Sequence, residues 1–372
     1  MEKIMSREKW KLAIAALALG LSTASAHAET KIVIGTYAPS TSSNVAHGFL
    51  PFIERVKEAS GGDLNAVLAS GGSVVTAKTT LFALNDGLVD AAYVPSVYYP
   101  AELPVSNVIV NLGALLDDVP AAIATMAEMF LFACPECIEE NKKWNMHYLS
   151  SWSLTNYDLL CAKPVHTAED VKGLRIRAAG HTVALTDALG ASPINVPSSE
   201  IYEILQRGQV DCVFAPPSFL STYSLGELAR HVVNVNAGTV PSPHNLMIRQ
   251  DLWDSLSRKD KQTLIDAAPL ATAGSYFGTL RSELEELARA DIGYNVIEPD
   301  VTLTTAIKEA ASGNFERAIG IGEGMGVVNA RDIATKFMSS YEQWKERLEG
   351  VTTQSAYEDI LRRDLYSKVS LE

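Results

Sequence analysis

Leu84-Asn-Asp-Gly87-Leu-Val89-Asp90-Ala-Ala-Tyr93 recurs as Leu205-Gln-Arg-Gly208-Gln-Val210-Asp211-Cys-Val-Phe214, at a constant offset of 121 residues. The two stretches agree at six places when Tyr is counted with Phe and Ala with Cys. Each reads as a helix end, a glycine able to take the left-handed cap conformation, and a strand with an aromatic residue near its C-terminal end. A chain that carries this unit twice is expected to fold as two similar lobes. In open α/β sheets the ligand crevice lies beyond the carboxyl ends of the strands, which points Tyr93 and Phe214 at a shared cleft. Ordinary core packing is the alternative role for both.

Outward from the repeat, short β-rich runs alternate with longer helical ones, the pattern of an α/β fold with largely parallel sheets. Lys31 to Thr36 reads as a buried strand, and Asn44 to Ser60 as a helix ending at Gly61-Gly62. Asn65 to Ala69 is a second strand, Thr76 to Asn85 helical, and Val89 to Val94 a third strand. Ser257 to Ile292 is a long helical stretch able to bridge both lobes despite Pro269 and two glycines. Thr302 to Ser367 reads as several helices with alternating charge, expected to form a solvated brace.

The 372 residues are 47% hydrophobic and 20% charged, a composition that excludes disorder and fibrous repeats and suffices for more than one core. A formal charge of −13 argues against a phosphate-neutralising surface, so nucleic acid is not an expected partner. Lys3, Arg7, Lys9 and Lys11 precede the apolar run Leu12 to Leu21, which leads into small residues ending at Ala26-His27-Ala28. That is the pattern of a secretory signal cleaved after Ala28, an uncleaved anchor being the alternative. Removing residues 1–28 takes away four basic and two acidic groups and moves the formal charge from −13 to −15. The mature protein is expected to be exported to the periplasm.

No catalytic signature is present: there is no nucleophile elbow, no zinc-binding helix and no phosphate loop of the Gly-Lys-Ser/Thr type. Gly320-Ile-Gly-Glu-Gly-Met-Gly326 follows a helical pattern rather than a strand and reads as a flexible turn, not a dinucleotide site. No cofactor and no metal are expected. In an oxidising compartment Cys134 and Cys137 are expected to form a local disulfide, a zinc half-site or a redox dithiol being the alternatives. Cys161 and Cys212, at strands of the second lobe, read as buried thiols. The seven histidines show no ligand spacing and are expected at the surface or at caps.

Thr167-Ala-Glu-Asp-Val-Lys-Gly-Leu-Arg-Ile-Arg177 is followed by Leu189-Gly-Ala-Ser-Pro193, Glu200-Ile-Tyr202 and Leu205-Gln-Arg-Gly-Gln-Val-Asp211. In order and spacing this series resembles the extracytoplasmic solute-binding proteins of TRAP transporters, the tripartite ATP-independent periplasmic family of the dicarboxylate-binding (DctP) type. The similarity runs from about Lys31 to about Arg289. It implies a two-lobed periplasmic solute-binding protein fold, with the ligand cleft between lobes and a long helix spanning both. On that plan residues 29–154 plus about 241–280 form lobe I, and 155–240 plus about 281–372 form lobe II with the C-terminal helical brace. The resemblance implies a small organic-acid ligand, delivery to membrane permease subunits, and a bidentate pair between the solute carboxylate and the arginine closing the Gly-Leu-Arg-Ile-Arg motif, here Arg177. A guanidinium's parallel donors match a planar carboxylate, which agrees independently.

The chain departs from the family's sialic-acid and dicarboxylate patterns. Ala215 stands where a ligand-bonding asparagine is common, Tyr157 where a second arginine is common, and Pro95 where sialic-acid binders carry an acid. Fewer polar contacts favour a smaller or more hydrophobic monocarboxylate, held by Arg177 among Tyr37, Tyr93, Ser96, Trp152, Asn156, Tyr157, Phe214 and Ser218. An aromatic cage for a zwitterion stays open at this point. The expectation is therefore a monomeric receptor and not an enzyme. An exported enzyme using the same cleft, or a ligand-sensing subunit of a membrane receptor, are the alternatives.

Overall fold

The computed structural model describes residues 29–289 and 293–371; the expected signal segment and its Ala28 cleavage site lie outside them. The strands in chain order are β1 (Thr30–Gly35), β2 (Leu64–Ala69), β3 (Ala91–Ala92), β4 (Met146–Ser153), β5 (Asp158–Cys161), β6 (Arg175–Arg177), β7 (Ser192–Ile194), β8 (Cys212–Ala215), β9 (His231–Val233), β10 (Pro241–Arg249) and β11 (Asn295–Ile297). They form two sheets, in the orders β2-β1-β3-β10-β4 and β11-β9-β5-β8-β6-β7. Each sheet anchors one lobe.

The repeat found in the sequence is one structural device used twice. Gly87 and Gly208 both adopt positive φ, 77° and 63°, and turn the chain from helix to strand. The following aspartate then locks onto the neighbouring parallel strand through two atoms. Asp90 donates its N–H to the Val33 carbonyl, while its carboxylate accepts the Val33 N–H. Asp211 repeats both bonds with Arg175 and adds a two-pronged pair with the Arg175 guanidinium. These carboxylates are spent on strand registration, not on the cleft.

The sheets are mixed rather than largely parallel. β10 runs antiparallel to β3 and β4, and β5 antiparallel to β8 and β9. These are the strands by which the chain changes lobe, and a strand entering directly from the other sheet runs against its neighbours instead of returning through a crossover helix. Residues 154–157 carry the chain out of β4 into β5, and 234–240 carry it back from β9 to β10. The two crossings are tied together, Tyr157 N–H to the Gly238 carbonyl at 2.7 Å and Ala237 N–H to the Tyr157 carbonyl at 2.8 Å.

The long helix spans Arg258–Leu287, about 45 Å at the α-helical rise. Ser257 caps it by accepting the Asp260 N–H. Its first part lies in the lobe I core, with Gly274 set so close to the His47 carbonyl that there is no room for a Cβ. Its last part reaches the crossings, where the Thr155 hydroxyl donates to Glu283, and lobe II, where the Tyr294 hydroxyl donates to Glu286.

Four further expectations are corrected. The last helices, Ala330–Arg347 and Gln354–Asp364, do not belong to lobe II: Phe337, Tyr341, Trp344, Tyr357 and Leu361 are buried in the lobe I core. Their charge alternation marks one solvated face, and the apolar stripe behind it closes lobe I. Among the described residues of the C-terminal part, Ile297, Leu303, Ile307 and Ala310 are buried in the lobe II core, with Ala306 and Tyr294 packed against it. Second, Gly320, Gly322 and Gly324 lie within a helix, Asn314–Gly324, and not in a flexible turn; Gly322 lets it approach Val108 and Ala330. Third, Cys161 and Cys212 are not thiols but a disulfide, beside the disulfide between Cys134 and Cys137. They lie directly opposite on antiparallel β5 and β8, Cα atoms 4.1 Å apart, so their side chains meet on one face. Fourth, His181 and His244 are buried, not at the surface. No single helix among the described residues is long and apolar enough to cross a membrane.

Candidate functional site

Arg177 is the last residue of β6, flanked by the parallel strands β7 and β8, so its side chain leaves the sheet at the carboxyl end. The neighbouring Ile176 points into the lobe II core on one face of the sheet, and strand alternation puts Arg177 on the other face, where at the strand's end its side chain meets Tyr98 of lobe I. The side chain is 1% exposed. Its Nε and Nη2 donate to the Val196 carbonyl at 3.1 and 2.9 Å, and Nη2 also donates to the Tyr98 hydroxyl at 2.9 Å. No carboxylate pairs with it among the described residues.

Around the guanidinium the two lobes meet through hydroxyls and rings. From lobe I come Tyr37, whose ring stacks on Tyr93 at 5.7 Å and meets Tyr98 edge-on at 6.5 Å. Tyr93 shares a hydrogen bond with Ser242, and Tyr37 shares one with Ser198 of lobe II, both at 3.3 Å. Ser198 is bonded in turn to Tyr223 at 3.0 Å. Tyr157, from the crossing, and Phe219 complete the wall. The space enclosed is about 30 Å³, room for one or two waters. A solute therefore reaches Arg177 only when the lobes part.

Electrostatically the site is one fixed cation in a neutral shell. Burial raises the phenol pKa of Tyr93 to about 12 and pushes Tyr37, Tyr157 and Tyr223 up as well. Arg177 pulls Tyr157 and Tyr223 the other way without overcoming the burial. These four phenols stay protonated at neutral pH.

Of the nine residues singled out from the sequence, Arg177, Tyr37, Tyr93 and Tyr157 line this cleft. The other five do not. Ser96 bonds to Nδ1 of His244 at 2.6 Å inside lobe I. Trp152 backs Tyr93 edge-on at 6.0 Å while its Nε1–H donates to Thr279. Phe214 alternates into the lobe II core beside Cys212. Ser218 stands just before the short helix Phe219–Thr222 without capping it through its side chain, and the side chain that reaches the cleft is Phe219, one residue on. Asn156 lines a separate cavity of about 490 Å³ on the far side of the crossings, with Thr155, Asp158 and Glu283. Tyr98, Ser198, Phe219, Tyr223 and Ser242 were missed from the sequence. The available signal was the carboxyl-end rule itself, since Tyr98 and Ser198 sit in the turns just beyond β3 and β7.

Comparison with known proteins agrees with this architecture. Residues 34–312 match the family described as bacterial extracellular solute-binding protein, family 7 (DctP). The chain is 26% identical over 164 residues to the sialic acid-binding periplasmic protein SiaP of Vibrio cholerae, covering 43% of this chain and 50% of that protein. It is 30% identical over 129 residues to the C4-dicarboxylate-binding periplasmic protein DctP of Rhodobacter capsulatus, covering 34% and 38%. A solute-binding protein of Albidiferax ferrireducens is 24% identical over 58% of this chain and 63% of its own. The matched stretches thus span less than two thirds of each of these relatives. Among solved structures, a TRAP periplasmic solute-binding protein of Bordetella bronchiseptica with bound mandelate superposes with a TM-score of 0.72 at 23% identity, over 84% of this chain and 99% of that one. A marine metagenome TRAP solute-binding protein specific for aromatic acids, holding metahydroxyphenylacetate, gives 0.75 at 18% identity, over 85% and 99%. With two lobes joined by paired crossings, one helix spanning both, and a family match running from the first strand through lobe II, the chain belongs to the bacterial extracellular solute-binding protein family 7, the DctP type of TRAP transporter binding protein.

Proposed function

We propose that the protein is an exported periplasmic receptor that captures a small organic monocarboxylate on Arg177 and delivers it to a TRAP membrane permease. One observation carries the reading: a guanidinium buried in the interlobe cleft, with no carboxylate of the described residues to neutralise it. Such a charge is costly until an anion joins it. Arg177 is the one charged side chain of the cleft lining, so a second carboxylate would meet no cation and a solute ammonium no anion. That disfavours dicarboxylates and zwitterions, and the rings of Tyr37, Tyr93 and Tyr157 suit an apolar or aromatic body. Structural relatives whose solutes are mandelate and metahydroxyphenylacetate support the same class.

The test is calorimetry on protein freed of solute by unfolding and refolding. Mandelate, 3-hydroxybenzoate and metahydroxyphenylacetate are set against succinate and ectoine. One-site binding of at least one monocarboxylate, tenfold or more tighter than succinate and ectoine, is expected, with the acid recovered chemically unchanged. Tighter binding of succinate or ectoine, or conversion of the acid, would overturn the reading. Vesicle uptake that requires both this protein and its permease tests delivery.

A further inference from the structure

We propose that Tyr98, reaching across from lobe I, is the second donor to the solute carboxylate, so that the two lobes grip one carboxylate together. The inference rests on the reading of Arg177 as the solute's anchor and adds which atoms hold the second oxygen.

A guanidinium has five N–H hydrogens. In Arg177 the Nε hydrogen and one Nη2 hydrogen are committed to the Val196 carbonyl, and the other Nη2 hydrogen to the Tyr98 oxygen. The Nε–Nη2 edge, one of the two forks that could clasp a carboxylate, is thereby closed by the protein's own backbone. On the remaining edge Nη1 makes no hydrogen bond among the described residues, and Nη2 is already screened by Tyr98.

The Tyr98 hydroxyl is itself nearly saturated. It accepts from Arg177 Nη2 at 2.9 Å and from the Ser198 N–H at 3.0 Å. A phenolic oxygen has two lone pairs and one hydrogen, so with both lone pairs engaged the hydrogen is left to donate. Tyr98 lines the cleft, and its hydroxyl donates to no acceptor among the described residues. With the lobes held far enough apart to seat the solute's body, a carboxylate on Arg177 Nη1 would find that O–H beside it, in the place the second arm of the fork would otherwise hold. Two accepted bonds from a cation and an amide also polarise the O–H and make it a stronger donor.

Lobe I holds Tyr98 firmly for this task. Its turn, Ser96–Tyr98, is pinned by the Asn107 side-chain amide, which donates to the Ser96 and Leu103 carbonyls at 2.9 Å each. The Ser96 hydroxyl is bonded to His244, whose Nε2 is bonded to Asn141 at 2.8 Å. Ser96 therefore serves the site from behind, through the turn that presents Tyr98. A solute gripped by donors from both lobes binds the closed form more tightly than the open one, and that difference in affinity is what drives closure.

The experiment uses Tyr98→Phe, which keeps the ring and removes the hydroxyl. Since all four cysteines are in disulfides, Lys57→Cys and Gln206→Cys, exposed on opposite lobes, accept spin labels for interlobe distances. The probe is 3-hydroxybenzoate with a ¹³C carboxylate. Expected are a tenfold to hundredfold weaker affinity in the variant and a shifted antisymmetric carboxylate stretch in the bound probe. A closed population in solute-free protein at least threefold smaller than in wild type is also expected, at an unchanged melting midpoint. A probe affinity within threefold with an unmoved stretch would overturn the donor role, because a purely structural tyrosine leaves the stretch where it was. If wild type does not bind the probe, the monocarboxylate reading fails on that probe and the solute-free distances judge the bridge alone. Identical distances in variant and wild type, or no closed population in either, would then overturn it.

Discussion

Arg177→Met separates binding from stability in a way that tests the site's electrostatics directly. The methionine roughly fills the arginine stem's space and removes the charge. With solute bound, the change strips a buried carboxylate of its cation, a loss of about 3–5 kcal/mol, or roughly a hundredfold to several-thousandfold in affinity. Without solute the consequence differs. The protein loses three hydrogen bonds from the guanidinium, two to the Val196 carbonyl and one to Tyr98, each worth about 1.5–3 kcal/mol when the donor is charged. It also sheds the several kcal/mol that a buried, unneutralised cation costs. These terms oppose one another, so the melting midpoint should fall by much less than the loss of three charged hydrogen bonds alone would give. Calorimetric titration and differential scanning on the same preparation read both quantities. Arg177→Lys keeps the charge but cannot hold the Val196 carbonyl with two nitrogens while presenting a third, so it should recover only part of the affinity. A folded Arg177→Met protein that binds within threefold of wild type, under about 0.7 kcal/mol, would refute the anchor. A collapse of its melting midpoint would show instead that the guanidinium is a structural cation.

Thiol titration of the denatured, unreduced protein should find none of the four cysteines free; two free thiols would leave Cys161 and Cys212 unpaired. The Cys161–Cys212 link joins residues 51 apart and the Cys134–Cys137 link residues 3 apart. Chain entropy then assigns about 4 kcal/mol to the first and less than about 2 to the second, so Cys161→Ala/Cys212→Ala should lower the midpoint more than Cys134→Ala/Cys137→Ala. Behind the crossings, burial raises Glu283 to about 7, with Asp158 adding to the shift and the Thr155 hydroxyl opposing it. A carboxyl raised on folding contributes stability that is present below its ordinary pKa and lost as pH rises through the folded value. Glu283→Gln should therefore gain on wild type progressively from about pH 4.5 to 7, and parallel midpoint-against-pH curves would contradict this.

Much of the frame was legible because its signals are local. A glycine at positive φ followed by Val-Asp registers a strand on its parallel neighbour, so the recurrence of that unit at residues 87–90 and 208–211 announced two lobes. The Gly-Leu-Arg-Ile-Arg run singled out Arg177 through its resemblance to the family's carboxylate-binding motif, and a guanidinium's parallel donors agreed with that role. Periodicity tells which residues share a face within one element, and says nothing of which turn from a distant element will face it. Tyr37 meets Ser198 across 161 residues and Tyr98 meets it across 100, contacts that exist only once the lobes close. The same limit separated Phe214 from the cleft, misread Cys161 and Cys212, and assigned the last helices to the wrong lobe. Sequence determined the two lobes and the buried cation; tertiary structure decided which hydroxyls surround that cation, because hydrogen-bond geometry at the cleft is set by the docking of one lobe on the other.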